Sequence, residues 1–232
     1  MLREIKRKLR ELADPQRAKV SLRYFKTGPG DYGAGDRFLG NTVPDLRKLA
    51  RQYRDLQKKE ALELLHSPIH EERLLALLIL NLQFQSGTEL QRKEIHKLYL
   101  SNMKWINNWD LVDSSAPLII GSYLLEKDPK ILDQLAASKS LWERRTAIIA
   151  TLAFIKQNKY DVALRIAARL LKDTEDLIHK GSGWMLREVG NRAPDILEDF
   201  LDHHAASMPR TMLRYAIEKF DEPKRKAYLS KR

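Results

Sequence analysis

The sequence predicts an all-α fold of the α-solenoid class, on three observations. Apolar residues recur at helical spacing along nearly the whole chain, alternation of period two is sustained nowhere, and a register of near-constant length relates successive helical stretches. In chain order, Leu2, Ile5, Leu9 and Leu12 mark a first amphipathic stretch. The stretches "VPDLRKLARQYRDL", "EALELL", "ERLLALLILNLQFQ", "LWERRTAIIATLAFIK", "DVALRIAARLL" and "PDILEDFL" follow. Pro44 before Asp45, Pro129 after Asp128, Pro194 before Asp195, and Pro209 after Ser207 and Met208 suit first turns, where a missing N–H is harmless. The stretches 74–84 and 146–155 are apolar on all sides and are expected to be central helices, covered on several faces.

Aligning Arg73, Trp109, Arg145, Lys180 and Arg214 gives steps of 36, 36, 35 and 34 residues. That spacing, with one helix pair per unit, predicts a right-handed α-solenoid, a curved array of HEAT-like helical pairs forming one domain over residues 1–232. Equivalent positions in such an array form a row along one face. One helical turn later the row reads Leu77, Asp113, Ile149 and Trp184, so Trp109 and Asp113 are expected on the same surface as Arg145 and Trp184.

Lys and Arg total 42 against 31 acids, a formal charge of +11 that favours a polyanionic partner and electrostatically steered association. The hydrophobic content of 43% argues against disorder and for a sizeable core. The absence of cysteine removes disulfides, thiolate metal sites and cysteine nucleophiles. The start, "MLREIKRKLRELAD", is not a secretory signal, and no stretch is long and apolar enough to span a membrane, so a cytoplasmic location is the default. Histidines 66, 70, 96, 179, 203 and 204 form no HExxH pattern, and Pro68 separates His66 from His70, so neither a metal nor another cofactor is expected.

The stretch "WINNWDLVDSSAP", residues 105–117, sets two tryptophans and two aspartates in a basic chain. Asn107 with Asp110 three residues on reads as an N-cap with an acid in the first turn. Asp113 lies a turn further, and its i,i+4 partner is Trp109, so carboxylate and indole share a helical face. A plain salt bridge, to Arg145 for instance, is the alternative reading of Asp113. Trp105 and Trp142 are expected as packing anchors.

Five blocks, "RYFKTGPGDYGAGDRFLGNTVPDLRKLA", "NNWDLVD", "WERRTAIIATLAFI", "LIHKGSGWMLREVG" and "MPRTMLRYAIEKF", together resemble the AlkD-like alkylpurine DNA glycosylases of the HEAT-like-repeat family, in the family's order from residue 23 to 220. The resemblance implies hydrolysis of the N-glycosidic bond of N3- and N7-alkylated purines in duplex DNA, with the lesion not swung into a pocket. It puts the catalytic aspartate at Asp113, the two lesion-flanking tryptophans at Trp109 and Trp184, and a DNA-contacting tyrosine at Tyr24. Arg145 and Arg187 match arginines that hold the backbone, and Thr42 lies where the family touches the groove. Lys180 and Arg214 join the DNA-binding set from the row. A basic crescent that wraps DNA needs no partner subunit, so a monomer is expected. Members of this superfamily that have lost base excision supply the alternative, a non-catalytic binder of damaged or branched DNA. A protein-binding solenoid is a third reading.

Gly28, Gly30, Gly33 and Gly35 superficially match GxGxxG, but the preceding "QRAKVSLRYFK" reads as helix rather than strand, which excludes a nucleotide loop. The segment 28–40 is instead expected as a flexible arm on the DNA side. The tail "DEPKRKAYLSKR" reads either as a DNA-contacting basic end or as a solvated helix.

Overall fold

The computed structural model describes residues 1–231, and among them every regular element is helical, apart from one isolated bridge between Arg37 and Ile69. The chain divides into two compact units, Met1–Ser115 and a second beginning at Ala116.

The first unit contains α1 (Leu2–Glu11), α2 (Pro15–Tyr24), α3 (Val43–Gln52), α4 (Lys58–Leu65), α5 (His70–Ser86) and α6 (Glu89–Ser101), a 3-10 turn at Met103–Trp105, and most of α7 (Trp109–Ala116). Side-chain caps start three of these helices. Asp14 accepts from the Gln16 and Arg17 amides to start α2, Thr42 accepts from Asp45 N to start α3, and Thr88 with Gln91 closes a capping box on α6. The all-apolar 74–84 stretch is the middle of α5, which packs on α3, α4 and α6 and buries Leu74, Leu75, Leu77, Ile79, Leu80 and Phe84. That is the central position expected of it.

The 28–40 segment is not an arm. Its far end is tied down: Leu39 N and Gly40 N both donate to the Glu71 carboxylate, at 3.0 and 2.7 Å. Asp14 N donates to Leu39 O, and the bridge sets Arg37 N on Pro68 O and His70 N on Arg37 O. Gly40 is required there: at φ +83°, a Cβ would stand 2.2 Å from Asp14 O.

The second unit runs from a π-helical turn, Pro117–Ser122, through α8 (Lys130–Ala136), α9 (Leu141–Ala150), α10 (Leu152–Lys156), α11 (Asp161–Arg169), α12 (Asp176–Gly190), α13 (Pro194–His204), α14 (Arg210–Ala216) and α15 (Glu222–Ser230). Pro117 brings no amide N–H to the end of α7, and the helix widens into the π turn there. The expected single helix over 146–155 is two, α9 and α10. Thr151, fully buried, returns its hydroxyl to Ile148 O at 2.6 Å and breaks the run. Around α12 the packing is closest. A Cβ at Gly183 would lie 2.5 Å from both Met212 O and Tyr215 Cβ, so α12 and α14 touch backbone to backbone.

The repeat register places Arg73 on α5, Trp109 on α7, Arg145 on α9, Lys180 on α12 and Arg214 on α14. Each lands on a helix. The row is not one of exposed cations, however, because Arg73 and Arg145 are buried.

Candidate nucleic-acid interface

In the first unit the start of α7 organises the candidate site. The helix begins one residue later than the sequence suggested: Asn108, fully buried, precedes it, and the Asn108 carbonyl accepts from Val112 N. Asp110 does more than serve the helix end. Its Oδ1 accepts from Leu111 N at 2.9 Å, while its Oδ2 lies 2.7 Å from His70 Nε2.

Trp109 is held by aromatic neighbours. Phe25 stacks on it at 5.5 Å with planes 22° apart, and Tyr24 meets it edge-on at 5.8 Å. Tyr24, at the end of α2, meets Phe25 edge-on as well and remains 62% exposed. Asp113, one turn after Trp109, is half-buried, while Leu111 and Ser115 form the buried side of α7. Tyr24, Trp109 and Asp113 thus belong to one unit, and Tyr24 and Trp109 to one aromatic cluster. Thr42 is used differently: its hydroxyl donates to the Asp45 carboxylate and accepts from Asp45 N, so its polar capacity serves the α3 cap.

Beneath Trp109 lies a network that periodicity does not reveal. His70 is buried with Nδ1 3.1 Å from Asp36 Oδ2 and Nε2 on Asp110. Arg73 donates to Asp36 Oδ1 at 2.6 Å and Asn108 Nδ2 to Asp36 Oδ2 at 3.3 Å. Burial works against a charge on His70, but the hydrogen bonds with Asp110 and Asp36 prevail and raise its pKa to about 9. Asp36 is pushed up by burial, yet His70 and Arg73 together hold it below the ordinary carboxylate value. The residues come from "GAGDRF", "PIHEER" and "NNWD", and no local spacing connects them.

In the second unit, α12 carries Lys180, Trp184 and Arg187 at i, i+4 and i+7, one helical stripe. Lys180 pairs with Asp176 at 2.8 Å and, through that hydrogen bond, holds the Asp176 carboxyl low. Trp184 Nε1 donates to Glu188 at 3.3 Å, and Arg187 pairs with Glu218. Arg214 is exposed on α14. Arg145, expected to face the DNA backbone, is 5% exposed and donates to Leu177 O, which ties α9 to α12. Its neighbour Arg144 grips Asp173 through Nε at 2.6 Å. Trp105 and Trp142 are only half-buried, and Trp105 stacks on His66 at 5.0 Å instead of anchoring a core.

Among the described residues no group of three or more His, Asp or Glu side chains is placed to hold a metal ion, and no helix is long and apolar enough to cross a membrane.

Helix pairs in a repeating register, with indoles and cations on the repeated helices, define an all-α protein of the α-solenoid class. The chain belongs to the family of DNA alkylation repair enzymes, whose model matches residues 5–220. It is similar in fold to a structure described as a predicted DNA alkylation repair enzyme from Enterococcus faecalis, at 17% identity and a TM-score of 0.71, covering 90% of this chain and 97% of that one. It is likewise similar to AlkD2 from Streptococcus mutans, at 19% identity and a TM-score of 0.58, covering 78% and 91% of the respective chains. The smu.31 protein of Streptococcus mutans UA159 matches at 18% identity and a TM-score of 0.56, over 88% of this chain and 100% of that one. No curated protein matches the chain.

Proposed function

We propose that the protein is a monofunctional DNA glycosylase, a monomer without cofactor, that hydrolyses the N-glycosidic bond of cationic N3- and N7-alkylated purines such as 3-methyladenine and 7-methylguanine in duplex DNA. The observation that carries this reading is the α7 arrangement. Trp109 is held by Phe25 and Tyr24, with the Asp113 carboxylate one turn along the same helix, in a chain of the DNA alkylation repair family.

The chemistry suits these residue types. A purine alkylated at N7 or N3 carries positive charge and departs without a general acid, so one carboxylate suffices where sugar hydrolases use two. As the bond breaks, positive charge develops on the deoxyribose. Asp113 stabilises that charge and orients the attacking water. The indoles of Trp109 and Trp184 attract the cationic base through their π faces, a contribution of roughly 0.5–2 kcal/mol each. Tyr24, Lys180, Arg187 and Arg214 hold the DNA backbone, which confers salt-dependent affinity without reading sequence. Arg145 and Thr42 are assigned to the same surface on the resemblance. In this structure Arg145 is buried on Leu177 O and the Thr42 hydroxyl serves the α3 cap.

The test is release of 7-methylguanine from methylated duplex DNA by the purified protein, with Asp113→Asn lowering the single-turnover rate by about 100-fold or more. No release by the wild type, beside an active control glycosylase, sinks the enzymatic reading. Salt-sensitive binding to damaged or branched DNA that is indifferent to Asp113→Asn would identify a non-catalytic binder instead.

A further inference from the structure

Charged groups from three separate sequence segments meet under the proposed site: Asp36 from the 28–40 loop, His70 and Arg73 from the first turn of α5, and Asp110 from the first turn of α7. Carboxylates can only accept hydrogen bonds, so a ring bridging two of them needs a proton on both nitrogens. The other solution, a protonated aspartic acid, is opposed on both sides. Arg73 and Asn108 hold Asp36, and the Leu111 amide, at the positive end of α7, holds Asp110. His70 is therefore a buried imidazolium, and these are the charged groups that face it.

Two of its contacts lead to the site, one through Asp110 and one through Phe25. Asp110 directly follows Trp109 and precedes Asp113 by less than one turn. Phe25, stacked on the Trp109 indole, lies 4.8 Å from the imidazole, and Phe38, stacked on Phe25, lies 4.7 Å from it. We propose that protonated His70 is a positioning residue: by bridging Asp36 to Asp110 and packing on Phe25, it fixes the rotation of the first turn of α7 and so the orientation of Trp109 and Asp113. The functional weight of this proposal rests on the reading of that pair as the DNA-facing site.

Loss of the proton has a directional consequence. A neutral imidazole donates through one nitrogen only, which leaves one carboxylate facing a lone pair. Asp36 keeps Arg73 and Asn108, whereas among the described residues His70 is the one hydrogen-bond donor to the Oδ2 of Asp110. Asp110, and the turn that carries Trp109, are what moves.

The experiment follows the indole Nε1–H resonance of Trp109 in the full chain by NMR from pH 6 to 10.5, assigned as the signal absent from Trp109→Phe. The expected result is a titration with a midpoint near 9, shifted to lower pH in Asp110→Asn, with circular dichroism unchanged across the range. A Trp109 signal that does not titrate, or one whose midpoint is the same in Asp110→Asn, overturns the proposal. A second arm measures single-turnover base release by His70→Gln at pH 7.5. A loss of roughly 10- to 100-fold is expected, the scale of a small misplacement of reacting groups, with DNA affinity retained. An unchanged rate overturns the proposal as well. If the wild type releases no base, the glycosylase reading fails, and the resonance alone still decides whether His70 positions α7.

Discussion

The imidazolium also makes a stability prediction whose size can be worked from the structure. In the folded protein His70 holds its proton up to about pH 9, against the ordinary histidine value of 6.5. A group whose pKa is raised by folding contributes stability that is complete below the unfolded pKa and is lost as pH climbs through the folded one. At 1.36 kcal/mol per pKa unit, the difference is about 3 kcal/mol below pH 6, falling to about 2 kcal/mol at pH 7.5 and to almost nothing at pH 10. His70→Gln removes the titrating group. Urea unfolding of wild type and variant, followed by circular dichroism at pH 6, 7.5 and 9.5, should therefore show the wild type losing its advantage over the variant as pH rises, most steeply between 7 and 9. A constant gap between the two proteins would mean that the folded and unfolded chains hold the proton equally well, and a gap that moves in the wild type's favour as pH rises would mean that the folded ring is neutral. Either outcome refutes the electrostatic reasoning.

Three further predictions concern the second unit. Gly183→Ala drives a methyl group into Met212 O and Tyr215 Cβ and should cost roughly 1–3 kcal/mol in thermal or urea unfolding, since neither atom belongs to a flexible side-chain end. Glu218→Gln removes the carboxylate paired with Arg187. It should tighten DNA binding and steepen the plot of log affinity against log salt by about 0.9, the increment for one additional phosphate contact, read by fluorescence anisotropy. Trp184→Ala should slow single-turnover base release by roughly 2- to 30-fold, the rate equivalent of one lost cation–π contact, while binding to undamaged duplex changes little. Equal losses in both measurements would make Trp184 a general DNA contact.

Much of the fold was legible because its determinants are local. Prolines at helix starts and the apolar stripes act within a few residues, and the repeat register lands on α5, α7, α9, α12 and α14. The break at Thr151 was hidden because a threonine inside an apolar run signals a back-bond only when its hydroxyl has no other partner. The fate of the glycine segment was hidden because Glu71, its anchor, reads as one more acid in a first helical turn. In the site, the Trp109–Asp113 pair was visible from i,i+4 spacing, but its support was not. His70 reaches Asp36 and Asp110 across separations of 34 and 40 residues, about one repeat each way. The same cause explains Arg73 and Arg145. In a stack of repeats, a position one turn into a helix can meet the neighbouring repeat, where a carboxylate or a carbonyl takes the charge.

The two aspartates of "NWDLVD" show how one short segment divides its charges. Asp110 belongs to a set with Asp36, His70 and Arg73 in which two negative and two positive groups balance, all buried or nearly so. Such a set adds nothing to the field of a chain carrying +11, and salt screens it far less than surface cations. The long-range attraction for a polyanion therefore comes from exposed lysines and arginines, while the geometry at Trp109 depends on a locally neutral network that added salt leaves intact. Binding and positioning then respond to different variables, the first to ionic strength and the second to pH. A basic protein can in this way attract a polyanion through its exposed cations and still keep one helical turn, with its indole and its second aspartate, in a fixed orientation.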